Sequence, residues 1–486
     1  MRGCLLLILT FSPVLAIIGS LVARRPRVAE HLNLAASIVV ALAALPLPFL
    51  SLGGPHLYWD GYVLLDPPGA WVLLCVAIVY LLSSIYAVGY MRLLDEEPRL
   101  YVFYALFAGF ALTMLAAPLM NNVGVFWITV ELTTLVSTFL VGFERGAEST
   151  EAAWKYIIIV SAGISLALLG TILFYWAGSL VLGPSYDMTW SVLGGAAARM
   201  NPTLLTLAFL LVLVGYGTKA GLAPMHTWLP DAHSEGPAPV SAMLSGALLN
   251  TAMLGIVRFL AITDRARLGP IPRAALVILG IFSLFIAVLF IVRQEGVKRL
   301  MAYSSVEHMG IMALGFGFGG PLGVAAALYH MLNHSLNKPL MFFGAGNVMR
   351  SFGTKEIPKI GGVLQRLPVT GVLWLAGAVA ITGAPPFGLF LSEVTILRAG
   401  MSGANTWAVF VMAVLLIVIF VGFLNHFRHM MFTPQAPDPV EPDRLSFWCI
   451  APMWLAIVPL LVFGLWWPQA LWHYFGAVDH ALGGAT

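Results

Sequence analysis

A short set of ionisable residues stands in apolar sequence: Glu131, Lys219, Glu307, His308, His330, His334, Lys338 and Glu393. In hydrocarbon a charged group costs roughly 2.5–3.5 kcal/mol on insertion scales, so each needs a partner or a purpose. The bland alternative is a helix end, where Lys or Glu snorkels to the interface. Glu131 lies in VFWITVELTTLVSTFL, with no compensating charge in its own helix, and Lys219 is its natural partner. An acid–base pair in low dielectric has coupled protonation, so a third charge moving nearby changes both affinities. That suits a proton relay or an electrostatic switch; such a pair can also be purely structural. His330, His334 and Lys338 recur at i, i+4 and i+8 in YHMLNHSLNK and share a helix face. Histidines titrate near neutral pH and suit a proton chain, although core packing is the competing reading. Two histidines at i, i+4 also bind zinc in metalloprotease helices. Here the accompanying Glu is absent and Lys338 would repel a cation, so no metal is expected. Ser304, Ser305, Asn333 and Asn337 add polar groups that could hold water between titratable side chains.

The elements that position these groups are interrupted membrane helices. The stretch YGTKAGLAPMHTWLPDAHSEGPAPVSAML, from Tyr216 to Leu244, is apolar on both sides, and Pro224 should break its helix. Broken helices at membrane depth are tolerated where protein or a watery cavity surrounds them. His226, Trp228, Asp231 and His233 follow the break, either at the mouth of a pathway or in a turn built on Pro230 and Asp231. A second interruption lies in ITGAPPFGLFLSE, 381–393. Paired interruptions point to an internally repeated transporter, although the letters themselves show no repeat.

Composition agrees with that class. Of 486 residues, 60% are hydrophobic and 10% charged, where a soluble domain would carry about a quarter charged. The expected fold is an all-α polytopic membrane protein with about 14 transmembrane helices between residues 4 and 468. It forms one transmembrane domain over 1–486, with N-terminal helices in 1–99 and a C-terminal helix in 446–486. The segment KEIPKIGGVLQRLP (355–368) reads as an amphipathic surface piece. His426, Arg428 and His429 mark an interface beside a charged loop. Lys and Arg concentrate in loops after odd-numbered helices, which puts both termini on the outer, periplasmic side of the inner (plasma) membrane. Arg265, Arg267 and Arg273 dissent. A net charge of +3 gives no case for nucleic acid, and Cys4, Cys75 and Cys449 suggest neither disulfides nor a metal site. With no phosphate loop, dinucleotide fingerprint or iron–sulfur cysteine set, no cofactor is expected.

The chain resembles the antiporter-like subunits of respiratory complex I, the Mrp-type antiporters and the membrane-bound group 4 hydrogenases. The likeness rests on HTWLPDAHSEGPAPVSAML, KRLMAYSSVEHMG (298–310) and the glutamate after APPFGLF, and it runs from about the second helix to the fourteenth. ELTTLVSTFLVGFE (131–144) with AYSSVEHMG is most similar to the hydrogenase-4 component F branch, found in formate hydrogenlyase-type complexes. The resemblance implies two inverted five-helix repeats, 100–262 and 271–430, with helices 7 and 12 broken. It implies that Glu131 and Lys219 are the key pair and that His334 and Lys338 match polar positions of helix eleven. Glu393 then matches the outlet residue of helix twelve, and His308 a helix-ten histidine. Relatives often carry a helix-eight lysine where this chain has Asn250, in LLNTAMLG. Asn250 could position water, with Glu307 or His308 taking over, or this copy could have lost pumping.

The expected function is therefore a proton-translocating subunit of a membrane-bound redox complex, hydrogenase-4/formate hydrogenlyase-like or complex I-like. His226, Asp231 and Asn250 would support the relay. Expected partners are other membrane subunits, a peripheral hydrogenase or dehydrogenase arm that carries the redox chemistry, and the lipid bilayer. The alternatives are a Na⁺/H⁺ antiporter subunit and a non-conducting scaffold.

Overall fold

The computed structural model describes residues 2–93, 99–403, 405–434 and 445–483. The chain ends whose side the charge count assigned, and the charged loop before the fourteenth helix (435–444), lie outside the described residues.

Eleven helices are long and apolar enough to cross a bilayer. In chain order the first nine are Arg2–Ala23, Pro26–Leu50, Pro67–Leu93, Leu100–Leu119, Val123–Val141, Ala147–Leu182, Pro202–Ala220, Ala238–Arg265 and Ile271–Ile291. Thr406–Phe432 and Phe447–Leu465 complete that set. Three further spans bring the described total to fourteen, in line with the expected number: Val297–Phe318, Gly320–Phe352, and the broken pair Pro368–Ile381 and Gly388–Met401. These are the tenth, eleventh and twelfth. The tenth and eleventh are polar because they carry Glu307, His308, His330, His334 and Lys338, and they survive in a membrane because they are sheltered by protein. Every residue from Val297 to Gly317 except Arg299 is buried, as is every one from Gly323 to Val348. The eighth span is buried over its whole apolar window. By contrast the thirteenth exposes Phe410, Val414, Ile417 and Val421 on a lipid-facing side.

The ends of the spans sort into two faces. On one, Lys355 Nζ meets Glu148 at 2.5 Å and Glu235 at 2.9 Å, and Asp231 pairs with Arg299 and with Lys155 at 3.3 Å. On the other, Arg258 pairs with Asp66 at 2.7 Å and Asn121 Nδ2 donates to the Gly61 carbonyl at 2.7 Å. The dissenting cations belong to this second face and are largely engaged there. Arg273 pairs with Asp264 at 2.6 Å, and Arg265 donates to the Ala481 carbonyl at 2.8 Å. A hairpin, His56–Tyr58 with Val63–Leu65, and the helices Trp190–Ala196 and Gln469–Ala481 complete that face. The segment 355–368 has the expected amphipathic pattern, with Ile357, Ile360 and Val363 buried. It folds only into two short turns, Ile357–Lys359 and Val363–Arg366.

The sixth and seventh spans approach closely enough to place a lysine on the latter against the Tyr156 hydroxyl on the former. Glycine permits it. A Cβ at Gly170 would meet the Ala208 carbonyl at 2.7 Å, and one at Gly215 would strike the backbone of Ala167. Substituting Gly215→Leu should drive the two helices apart at a cost of about 1–3 kcal/mol or more. The expected readout is a lower midpoint of thermal unfolding and less assembled protein on a native gel, with Gly195→Leu, where a Cβ meets open space, as the neutral control.

Candidate functional site

The seventh span ends at Gly221, whose φ of +75° needs no Cβ, and Lys219 sits in its last turn. A cation there faces the negative end of the helix dipole. Lys219 has no solvent exposure. Its Nζ donates to Thr134 Oγ1 at 2.7 Å and to Tyr156 OH at 3.1 Å, and lies 5.4 Å from the Tyr156 ring centre. Thr134 Oγ1 in turn donates to Glu131 Oε2 at 3.2 Å, while Ser161 Oγ donates to Glu131 Oε1 at 2.7 Å. Glu131 and Lys219 are thus brought together, but through a shared hydroxyl and not by direct contact. Trp228 fixes the break: its Nε1 donates to the Thr218 carbonyl at 2.8 Å and its ring packs 4.8 Å from Tyr156. Thr134, Tyr156 and Ser161 were not singled out from sequence. Only Thr134 carried a usable signal, its i+3 spacing from Glu131.

A second cluster forms where the tenth, eleventh and twelfth spans meet. His308 Nδ1 and His330 Nε2 are 2.9 Å apart, and His330 Nδ1 lies 2.9 Å from Ser392 Oγ. His334 packs beside His308 with ring centres 5.6 Å apart, and neither of its nitrogens has a partner. Lys338 Nζ donates to Ser304 Oγ at 2.5 Å and to the Met301 carbonyl at 3.2 Å. Glu307, 2% exposed, shares that turn of the tenth span. Glu393 is buried, with Oε1 unpartnered and its carboxylate against Gly383.

The two breaks match in detail. Gly221 precedes the cis Ala223–Pro224 bond and Gly383, at φ +64°, precedes the cis Pro385–Pro386 bond, each glycine three residues before the proline whose nitrogen forms the bond. Counting on from each, Asp231 and Glu393 occupy equivalent places.

Between the clusters lies the eighth span, which is π-helical over Leu244–Leu248. Single π turns inside α-helices are frequent at functional sites. Ser245 in this turn meets Ser305 at 2.7 Å, and Asn250 Nδ2 donates to Ser335 Oγ at 2.8 Å while its Oδ1 has no partner. Asn250 therefore touches the eleventh span one turn from Lys338.

Two supporting residues lie apart from these chains. Asp231 belongs to the surface ion pairs with Lys155 and Arg299, beside a charged cleft of about 550 Å³. Partial burial works against the charge of Lys355 in that cleft, but its hydrogen bonds with Glu148 and Glu235 prevail and hold its pKa above the usual lysine value. His226 is buried with Nδ1 unpartnered, its ring edge-on to Tyr303 at 6.1 Å.

Comparison with known proteins puts this geometry in context. Residues 120–420 match the family described as NADH:quinone oxidoreductase/Mrp antiporter, transmembrane. A hydrogenase-4 component F homolog of Methylacidiphilum infernorum is 38% identical over 357 residues, covering 69% of this chain and 74% of that protein. Hydrogenase-4 component B of Escherichia coli is 31% identical over 354 residues, and the chain spans only 51% of its length, against 70% of its own. In fold, the chain superposes on a subunit of the membrane-bound sulfane sulfur reductase, an archaeal respiratory membrane complex. The TM-score is 0.88 at 22% identity, over 99% of this chain and 98% of the other.

The Thr134 bridge has a direct check. Thr134→Val leaves Lys219 without its shortest hydrogen bond and should destabilise the domain by about 1.5–3 kcal/mol. Thr134→Ser should recover most of that, both read from the thermal unfolding midpoint.

Proposed function

Because this chain belongs to the NADH:quinone oxidoreductase/Mrp antiporter transmembrane family, we propose that it is a proton-translocating, antiporter-like subunit of a membrane redox complex. Within that family its relatives include hydrogenase-4 components, which favours a hydrogenase-type complex in the plasma membrane with a peripheral redox arm. The matching breaks favour two inverted repeats, 100–262 and 271–430.

The observation that carries the mechanism is the hydroxyl bridge between Lys219 and Glu131. A buried ammonium keeps its proton only while negative charge compensates it. Drawing Glu131 away, or neutralising it, raises the cost of the Lys219 charge and expels that proton. Next along the route stand Asn250 with Ser335, then Lys338 on Ser304, then the His334, His308 and His330 group, and last Glu393 at the second break. Among the described residues no side-chain hydrogen bond joins the first cluster to the second, so water has to carry the proton between them. The unpartnered atoms of Asn250, Asn333, Asn337 and His334 offer the two to four polar contacts that a buried water needs.

Sodium fits less well. A hard cation prefers a shell of oxygens, whereas Glu131 is linked to a lysine through Thr134 and Glu393 faces imidazole nitrogens. A scaffold role would leave the retained Glu131, Lys219, Lys338 and Glu393 without a purpose.

Sealed vesicles holding the whole complex test the proposal. Lys219→Ala should lower proton uptake by about 10²-fold or more while redox turnover continues and a native gel shows normal assembly. Unchanged uptake in an assembled complex would leave the scaffold reading in its place.

A further inference from the structure

The second cluster offers a cation more than a path for protons. One nitrogen each of His308 and His330 and an oxygen of Glu393 lie within 4.8 Å of one another. They come from three different spans, and all three side chains are buried.

Hydrogen bonding fixes where their lone pairs point. Ser392 Oγ donates to the Leu389 carbonyl at 2.7 Å, so towards His330 it accepts, and His330 Nδ1 carries the hydrogen. His330 Nε2 is then a bare acceptor, which receives His308 Nδ1–H. His308 Nε2 is left with a lone pair and no partner, and so is Glu393 Oε1. Two of the three acceptors, His308 Nε2 and Glu393 Oε1, thus have no donor, and the third, His330 Nε2, is held only by the neighbouring imidazole; buried acceptors left in that state call for a proton or a metal ion.

The donor set also selects the ion. Two imidazoles and one carboxylate are the ligands of many mononuclear zinc sites, with bonds of about 2.0–2.2 Å. Donors around such an ion stand roughly 3.3 Å apart, so this group has to close by only about 1.5 Å. A metal-bound histidine usually donates its other N–H to a neighbour, as His330 does to Ser392. Nitrogen donors disfavour Mg²⁺ and Ca²⁺. The fourth position of such a site falls to water, with His334, both of whose nitrogens are unpartnered, packed beside His308 at 5.6 Å between ring centres.

We infer that His308, His330 and Glu393 form an inhibitory site for Zn²⁺, which occupies the lone pairs that would otherwise pass a proton and ties the tenth, eleventh and twelfth spans together. The binding stands on these residues alone; the inhibition rests on the proton-relay reading. The groups facing the site are Lys338, His334, Glu307, Ser304 and Ser392. Of these Lys338 opposes a dication, so binding drives protons off the cluster and tightens as pH rises.

The test uses the assembled complex, stripped with a chelator and titrated with Co²⁺ as a visible probe and with Zn²⁺ as inhibitor. The expected result is one Co²⁺ per subunit with the absorption band of a four-coordinate site, displaced by Zn²⁺ and weaker at low pH. That band should vanish in His330→Gln and in Glu393→Gln, two near-isosteric variants checked for assembly by native gel. Zn²⁺ should slow proton uptake by wild-type vesicles at the concentration that displaces Co²⁺. An identical titration in wild type and in either assembled variant would overturn the site. A band that vanishes in the variants, with wild-type uptake indifferent to Zn²⁺, would overturn the inhibition. The Co²⁺ band does not depend on pumping, so it separates failure of this site from failure of the relay reading.

Discussion

A lysine ammonium cut off from solvent has to be neutralised within reach of its own hydrogen bonds, and the first half of this molecule is arranged to do that for Lys219. The helix ends just after the lysine, which sits in its last turn, so carbonyl dipoles face the charge. A threonine one turn from Glu131 passes that compensation across the gap, and a tyrosine supplies both a hydroxyl and a ring face. The close crossing at Gly170 and Gly215 and the clamp of Trp228 on the break exist in the service of this one contact. A direct ion pair would hold both charges tightly. Placing a hydroxyl between them leaves the compensation adjustable, because a rotation of one side chain alters it.

The second half handles charge differently. Among the described residues it has no hydroxyl bridge from acid to base like that of the first; Lys338 is held by a serine and a carbonyl, and three imidazoles stand beside it. Imidazole can donate at one nitrogen and accept at the other, so a hydrogen-bonded run of them has a direction set by whichever end is pinned. Here Ser392 pins it. On the proposed relay the two clusters are unequal partners: the first would decide whether a proton is held, the second the order in which groups hand it on.

Much of this was legible in the letters, because burying charge in a membrane leaves few choices. Glu131, Lys219, the His330–His334–Lys338 face and both proline breaks announce themselves by being out of place in apolar sequence. Hydroxyls do not. Thr134, Tyr156 and Ser161 are ordinary residues of membrane helices, and only the meeting of three helices makes them a bridge. The likeness of the two breaks was also hidden, since it rests on a glycine, a proline and an acid at fixed offsets amid unrelated residues. Asp231 was open in the letters to two readings, the mouth of a pathway or a turn. A carboxylate after a broken helix has the spacing of a pathway residue, yet the half-helix Trp228–Glu235 carries it to the surface, where Arg299 and Lys155 meet it.

The three spans that do not qualify as membrane helices are consecutive, the tenth and eleventh because they are polar and the twelfth because it is broken into short halves, and they are flanked by the ninth and the thirteenth, the two most apolar of the eleven that qualify. During synthesis each segment meets the bilayer in turn, before its eventual neighbours exist. The tenth and eleventh, left alone, would expose lysine and histidine to lipid. The ninth can anchor the growing chain, but the shelter has to come from spans already in place, above all the third and the eighth, against which the eleventh packs. The twelfth and fourteenth then close over the eleventh. The groups that make this half useful for moving charge therefore tie its entry into the membrane to the prior completion of the first half, so that the order of biogenesis is written into the placement of polarity along the chain.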